Sequence, residues 1–187
     1  MPTPERSDPE AIPPIVRILR AIGSRLLGIP RRLAWVPVIA WASLIFFFSS
    51  RPAPSFRGVG PFSGVFENFG HALEYGVFTV CLALLAPRRW DERGEWVDLG
   101  VRASAAIFLF VSLYAASDEW HQSFVPKRDA SAFDVLTDVV GAASTLACIA
   151  AIGRRVDSGR ALGIRFVLGL TACVVSATLA TYGLPWT

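Results

Sequence analysis

Both histidines of the chain, His71 and His121, stand next to carboxylates in otherwise apolar sequence. His71 and Glu74 are three residues apart, so on a helix they share a face. Asp134 and Asp138 are four apart and share another. Asp118, His121 and Gln122 line up if a helix continues through Trp120, and Glu119 lies among them. Ser49, Ser50, Arg51, Lys127, Arg128, Asp129 and Ser131 complete the polar set. A histidine beside a carboxylate is the usual equipment for moving a proton. Arginine adds a planar fork that binds a carboxylate or another anion through two hydrogen bonds. Carboxylates within a membrane-spanning segment cost about 2.5–3.5 kcal/mol each on insertion scales, so they face partners or a wet cavity. Arg51 and Arg128 are the partners on offer, and His71, Glu74, Arg128 and Asp134 are expected within hydrogen-bonding or single-water reach.

Several familiar chemistries are missing from the sequence. It has no phosphate-binding G-x-x-x-x-G-K-[ST], no G-x-S-x-G nucleophile elbow and no H-E-x-x-H. The segment His71-Ala-Leu-Glu74-Tyr75 falls one residue short of the inverted zinc motif, with Tyr75 where a second His would stand. His71, Glu74, Glu119 and His121 are ligand types a metal would accept, but their pattern assigns none, and no cofactor is expected. The plainer alternative is an Arg–carboxylate–His network that only locks helices together. A helix N-terminus by itself favours an acid such as Asp134.

The elements that must carry these residues are apolar. Hydrophobic residues make up 53% of the 187 and charged residues 18%, with a mean hydropathy of +0.47. Five segments are long and apolar enough for the 17–25 residues a span takes: 33–50, 68–86, 101–117, 134–152 and 163–183. Helices are expected, because a backbone in lipid must satisfy its own hydrogen bonds and no ten-residue alternation suggests a barrel. Pro37 fits an opening turn and Pro87 stops the second span. Gly141, Ala142 and Ala143 give the fourth span a small face for close packing. Cys81, Cys148 and Cys173 lie in apolar blocks without metal-ligand spacing and read as packed thiols.

The N-terminal stretch 1–10 is polar and Pro-rich and is expected to lack fixed structure. In 15–27, Ile15, Ile18, Leu19, Ile22 and Leu26 recur at helical spacing against Arg17, Arg20 and Arg25, which predicts a basic amphipathic helix on a membrane surface. A signal peptide is not expected, since the first apolar block begins after residue 32 and is too long for one. Fourteen of the eighteen basic residues fall on the side of the N-terminus; Arg51, Arg57, Lys127 and Arg128 fall on the other. The positive-inside rule puts the larger group in the cytoplasm, so the net charge of +3 is a topology signal rather than a nucleic-acid footprint. With that orientation every residue of the polar set, from Ser49 to Asp138, maps to the outer leaflet.

The stretch SDEWHQSFVPKRDASAFDVLTDVVGA, 117–142, resembles the signature of the VanZ-like family. IFFFSSRPAPS (45–55) resembles that family's first-helix end, and HALEYGVFTVCLALL (71–85) its His-x-x-Glu-Tyr second helix. The resemblance runs from about residue 33 to 152. It implies a small bacterial integral membrane protein of the cell envelope, in a family whose founding activity is low-level resistance to the glycopeptide teicoplanin. The family positions that carry over are His71, Glu74, Asp118, His121, Gln122, Arg128, Ser131, Asp134 and Asp138. Two positions depart from the pattern: Lys127 stands where Gly is usual, and Asp138 where Asn is common.

The sequence therefore predicts an all-α membrane bundle of about five transmembrane helices with a cytoplasmic N-terminus. Its parts are a tail at 1–32, a four-helix VanZ-like domain at 33–152, and a loop with a fifth helix at 153–187. The expected site binds or modifies an envelope lipid or a lipid-linked cell-wall precursor, with membrane lipids as partners and no nucleic acid. His71, Glu74, Asp118 and His121 take the catalytic roles, His71 and Glu74 as acid and base. Arg51, Gln122, Arg128, Ser131, Asp134 and Asp138 take the binding roles, with the two arginines holding an anionic headgroup. The alternative is a non-catalytic scaffold or partner-binding protein in which the same residues are interhelical glue. The orientation predicts that alkaline phosphatase fused after Thr187 is active in intact cells and that a fusion within 88–102 is not. The reverse pattern would overturn the outward-facing site.

Overall fold

Pro14 opens the first helix, where the amide proline lacks would have had no partner. Helix α1 (Pro14–Leu27) is followed by α2 (Trp35–Ser49), α3 (Ser63–Ala83), the strands β1 (Arg88–Asp91) and β2 (Gly94–Val97), α4 (Val101–Gln122), α5 (Ala132–Gly153) and α6 (Ser158–Tyr182). This computed structural model describes residues 13–52, 62–91, 94–128, 130–153 and 158–182. The tail 1–10, Arg57 and Asp129 lie outside them.

Helices α2 to α6 form the bundle. The ends of α2 and α4 meet through Ser49 and Asp118, and the N-terminal halves of α3 and α5 through His71 and Asp138. Asn68 near the start of α3 donates to Thr181 near the end of α6 (3.0 Å). So α2, α4 and α6 run one way, and α3 and α5 the other. The small face expected on the fourth span is where the bundle is tightest. A Cβ added at Gly141 would stand 2.2 Å from the Ala72 carbonyl oxygen, so only glycine lets α5 come this close to α3. Ala142 beside it is fully buried. That contact lies one residue from His71 and three from Asp138, which is how the two side chains come to face one another.

Among the described residues, three helices are long and apolar enough to cross a membrane: Val101–Gln122, Ala132–Gly153 and Gly159–Tyr182. The all-α bundle is the expected one, with a span count that differs from the expected five. Helix α2 carries no charged residue but has only 15 residues, roughly 22 Å at 1.5 Å per residue, against a hydrocarbon core of about 30 Å. Helix α3 has 21 residues, but Glu67, His71 and Glu74 lie among its first twelve. Helix α4 continues to Gln122, beyond the expected end at 117.

The core has two parts. At the level of Tyr75, Val38, Ile45, Phe78, Cys81, Leu82, Val111, Ala115 and Ala142 pack together. At the opposite end Val16, Leu27, Ala34, Trp96, Ala151, Ile152 and Leu162 form a second cluster. Trp96 belongs to an antiparallel hairpin that the sequence reading had as a plain loop, with Arg89 paired to Trp96 and Arg88 to Val97. Four residues per strand are too few for a period-2 signal to show. The indole fits between two glycines: a Cβ at Gly23 of α1 would stand 2.4 Å from the ring, and one at Gly153 of α5 2.8 Å. Its Nε1 donates to the Ile149 carbonyl (3.3 Å).

Helix α1 docks on this hairpin. Val16 and Leu27 point inward, while Ile15, Ile18, Ile22 and Leu26 are exposed as an apolar stripe. Arg20, expected on the polar outer face, instead turns inward, 6% exposed, with its guanidinium 5.5 Å from the Trp96 ring. Other arginines at this end satisfy carbonyls that helix and loop ends leave free: Arg88 donates to Leu27 and Ile29, Arg89 to Gly153, and Arg31 to Leu85.

At the site end the chain turns sharply between α4 and α5. The Arg128 amide donates to the Val125 carbonyl (3.2 Å), closing a four-residue turn with Pro126 and Lys127 at its centre. Lys127 has φ 65°, as the third residue of a type II turn requires. Among the described residues it is the only non-glycine with positive φ. The backbone thus turns as a glycine would allow, and the lysine bears the steric cost. Lys127→Gly is expected to raise stability in detergent by about 1 kcal/mol, read from thermal or denaturant unfolding. No gain, or a loss, would mean that the Lys127 side chain contributes a compensating contact.

Candidate functional site

The inward stripe of α4 reads Val111, Ala115, Asp118, Glu119 and Gln122. Spacings of three and four put these residues on one face, apolar in the middle of the bundle and polar at its end. The same end receives the C-terminus of α2, the N-terminal half of α3 and the start of α5. All ten residues assigned to the site from sequence lie there. They fall into two groups, with some side chains belonging to neither.

The first group joins α2, α4 and the turn after α4. Ser49 Oγ donates to Asp118 Oδ2 (2.8 Å), and Gln122 Nε2 donates to the same oxygen (3.0 Å). Gln122 Oε1 accepts from Arg128 Nη1 (3.5 Å). The rest of the Arg128 fork goes to the frayed end of α2: Nη2 to the Phe48 carbonyl (2.8 Å) and Nε to the Arg51 carbonyl (3.0 Å). His121 Nε2 lies 3.1 Å from Ser50 Oγ, and its ring stacks on Phe46 at 4.8 Å. Asp118 and Gln122 are buried; His121 and Arg128 are partly exposed.

The second group joins α3, α4 and α5. His71 Nδ1 lies 3.3 Å from Asp138 Oδ1. Asp138 has 0% exposure, and neither carboxylate oxygen has a hydrogen-bond partner. Glu119 is also buried; its Oε2 accepts from the Ser131 amide (2.9 Å), while its Oε1 has no partner. Ser131 caps α5, its Oγ accepting from the Phe133 amide (3.1 Å). One ligand-type atom from each of His71, Glu119 and Asp138 lies within 4.8 Å of the others. This is the set that could hold a metal. The set weighed from sequence, with Glu74 and His121, is not the one brought together.

The expected clustering of His71, Glu74, Arg128 and Asp134 takes a different form. Among the described residues, the Glu74 and Asp134 carboxylates make no hydrogen bond or ion pair, and Glu74 engages through its backbone carbonyl, which accepts from Trp41 Nε1 (2.9 Å). Arg51 and Arg128, expected to pair with carboxylates, reach none among those residues. Arg51 instead lies over the Phe47 ring at 4.0 Å. The reason is local: Arg128 sits just past the turn, where the α2 carbonyls are nearer than any acid. Tyr75 belongs to the core, 6.3 Å from Phe78 and 6.4 Å from Tyr114 by ring centroids, which removes it from any inverted zinc motif.

Ser49, Ser50 and Glu119 have a part in the site but carried no assigned role from sequence. Glu119 had a legible signal. The stripe Val111, Ala115 continued by one more step of four lands on it. Ser49 had none, because it is one of two adjacent serines at a helix end.

The VanZ/LLP1 family model matches residues 34–153, which cover α2 to α5, the hairpin and both polar groups. No curated protein and no solved structure matches the chain. The match spans well over half of the sequence, and with three helices fit to cross a bilayer it shows a membrane protein that belongs to the VanZ/LLP1 family.

Proposed function

We propose that this protein is a multi-pass protein of the bacterial cell membrane, with its N-terminus in the cytoplasm. The polar end of its bundle holds the anionic headgroup of an envelope lipid or a lipid-linked cell-wall precursor at the outer face. One observation carries the reading: among the described residues neither Arg51 nor Arg128 makes an ion pair with a carboxylate, and both stand at a bundle end set with exposed aromatic rings. Phe47, Phe48, Phe62, Phe66, Trp120 and Phe124 are all exposed there. Trp120 is the kind of ring that collects at the headgroup level of a membrane, the phenylalanines beside it face the lipid chains, and a guanidinium at that level meets phosphate. His71 and Glu74 remain the acid–base candidates if the headgroup is modified. Glycopeptide susceptibility is the cellular phenotype to read, by analogy with the founding activity of the family.

A second reading has its own support. The Ser49–Asp118–Gln122–Arg128 chain ends on neutral carbonyls of α2, which is what a helix clamp does. In that case the protein is a scaffold and these residues are glue.

Arg51 and Arg128 separate the two readings. With the full chain in detergent, short-chain phosphatidylglycerol is expected to bind in preference to phosphatidylcholine. Arg51→Gln should weaken phosphatidylglycerol binding roughly tenfold without lowering the melting temperature, since a hydrogen bond to a charged group is worth about 1.5–3 kcal/mol. Arg128→Lys should lower both, because its fork also ties α2 to α4. Equal binding of the two lipids, or wild-type phosphatidylglycerol affinity in Arg51→Gln, would favour the scaffold.

A further inference from the structure

We propose that His71, Glu119 and Asp138 form a binding site for a single divalent transition-metal ion, of which zinc fits the donor set best. The site goes beyond the headgroup reading and does not depend on it.

The first support is the donor set. One imidazole nitrogen and two carboxylates are ligands that zinc accepts, and three protein ligands with a fourth position open is the arrangement of catalytic zinc sites. Each ligand comes from a different helix: His71 from α3, Glu119 from α4 and Asp138 from α5. Loop flexibility therefore does not account for their meeting. The glycine at 141, which draws α5 against Ala72, fixes two of them face to face.

The second support is independent of the clustering. Asp138 is fully buried, and its Oδ2 meets no donor at all. Glu119 Oε1 is buried and unpartnered as well, and so is His71 Nδ1 by hydrogen-bond geometry. Buried polar atoms in native proteins are nearly always satisfied, and a buried carboxylate is paired or coordinates a metal. Charge gives the same answer. A protonated His71 neutralises one carboxylate, and the other must then carry its own proton or meet a cation. A divalent cation with neutral His71 balances both.

The surroundings are those of a metal ligand set. The Ser131 amide holds Glu119 by Oε2, which leaves Oε1 for the ion, and such outer hydrogen bonds orient ligands in metal sites. Zinc–nitrogen and zinc–oxygen distances of about 2.0–2.2 Å require the donors to close in by side-chain rotations on the order of 1 Å from their present spread. The side chain of His71, 20% exposed, is the open edge by which an ion or a small ligand enters.

The test uses the full chain purified in detergent, stripped with a chelator and then supplied with zinc, manganese or magnesium. One zinc per chain is expected after desalting, with a rise in melting temperature of roughly 5 °C or more at saturation and little response to magnesium. Asp138→Asn and Glu119→Gln should each weaken zinc binding at least tenfold. X-ray absorption on the zinc-loaded wild type needs no variant: it should show nitrogen and oxygen ligands and no sulfur at about 2.3 Å. A wild type that takes up no metal and shows no shift overturns the proposal. So does zinc that both variants retain, or zinc bound through a cysteine.

Discussion

Asp138 is a carboxylate with no exposure, placed between helices that are otherwise apolar. Burying such a group costs several kcal/mol unless something meets it, and most of the local structure can be read as what is brought to meet it. His71 comes to 3.3 Å because α3 and α5 touch at Ala72 and Gly141. Glu119 adds a second buried carboxylate beside it, because α4 keeps its helical course to Gln122 and the amide of Ser131, the cap of α5, holds one of its oxygens. If α3 shifted against α5, the Asp138 carboxylate would lose its His71 neighbour. His71, Glu119 and Asp138 all lie within residues 34–153, the part of the chain that the VanZ/LLP1 family model matches.

The two ends of the bundle use arginine differently. At the hairpin end Arg31, Arg88 and Arg89 donate to carbonyls, and Arg20 lies over Trp96, so those charges help fasten α1 and the hairpin to the bundle. At the site end Arg128 also uses its fork on carbonyls, but its neighbours are buried acids and exposed aromatic rings. The Pro126–Lys127 turn holds it there at some conformational cost. A structure that accepts a lysine in the left-handed region in order to place the next residue is spending stability on position.

Much of this was legible in the residues. The three longest spans, the inward small face at Gly141 and the gathering of polar residues at one end follow from hydropathy and helical spacing. What was not legible depends on side-chain reach rather than periodicity. The sequence could not tell that Arg128 would find the carbonyls of α2 before any acid, because that depends on where α2 stops. Nor did it show that Arg20 would turn inward, since the hairpin holding Trp96 is too short to leave a pattern. The separation of Asp118 from Glu119 was hidden for a related reason. Adjacent positions on a helix point about 100° apart, so one reaches α2 and the other the start of α5.

The central claim is that His71 and Asp138 depend on one another. The most direct measurement is a double-mutant cycle in chelator-treated protein, with unfolding in detergent followed for wild type, His71→Gln, Asp138→Asn and the double variant. Each single change leaves a buried partner unmatched, so the double variant should cost less than the sum of the two, with a coupling of about 1–3 kcal/mol. Costs that add to within about 0.5 kcal/mol would show that the two side chains do not stabilise each other, and would contradict the account.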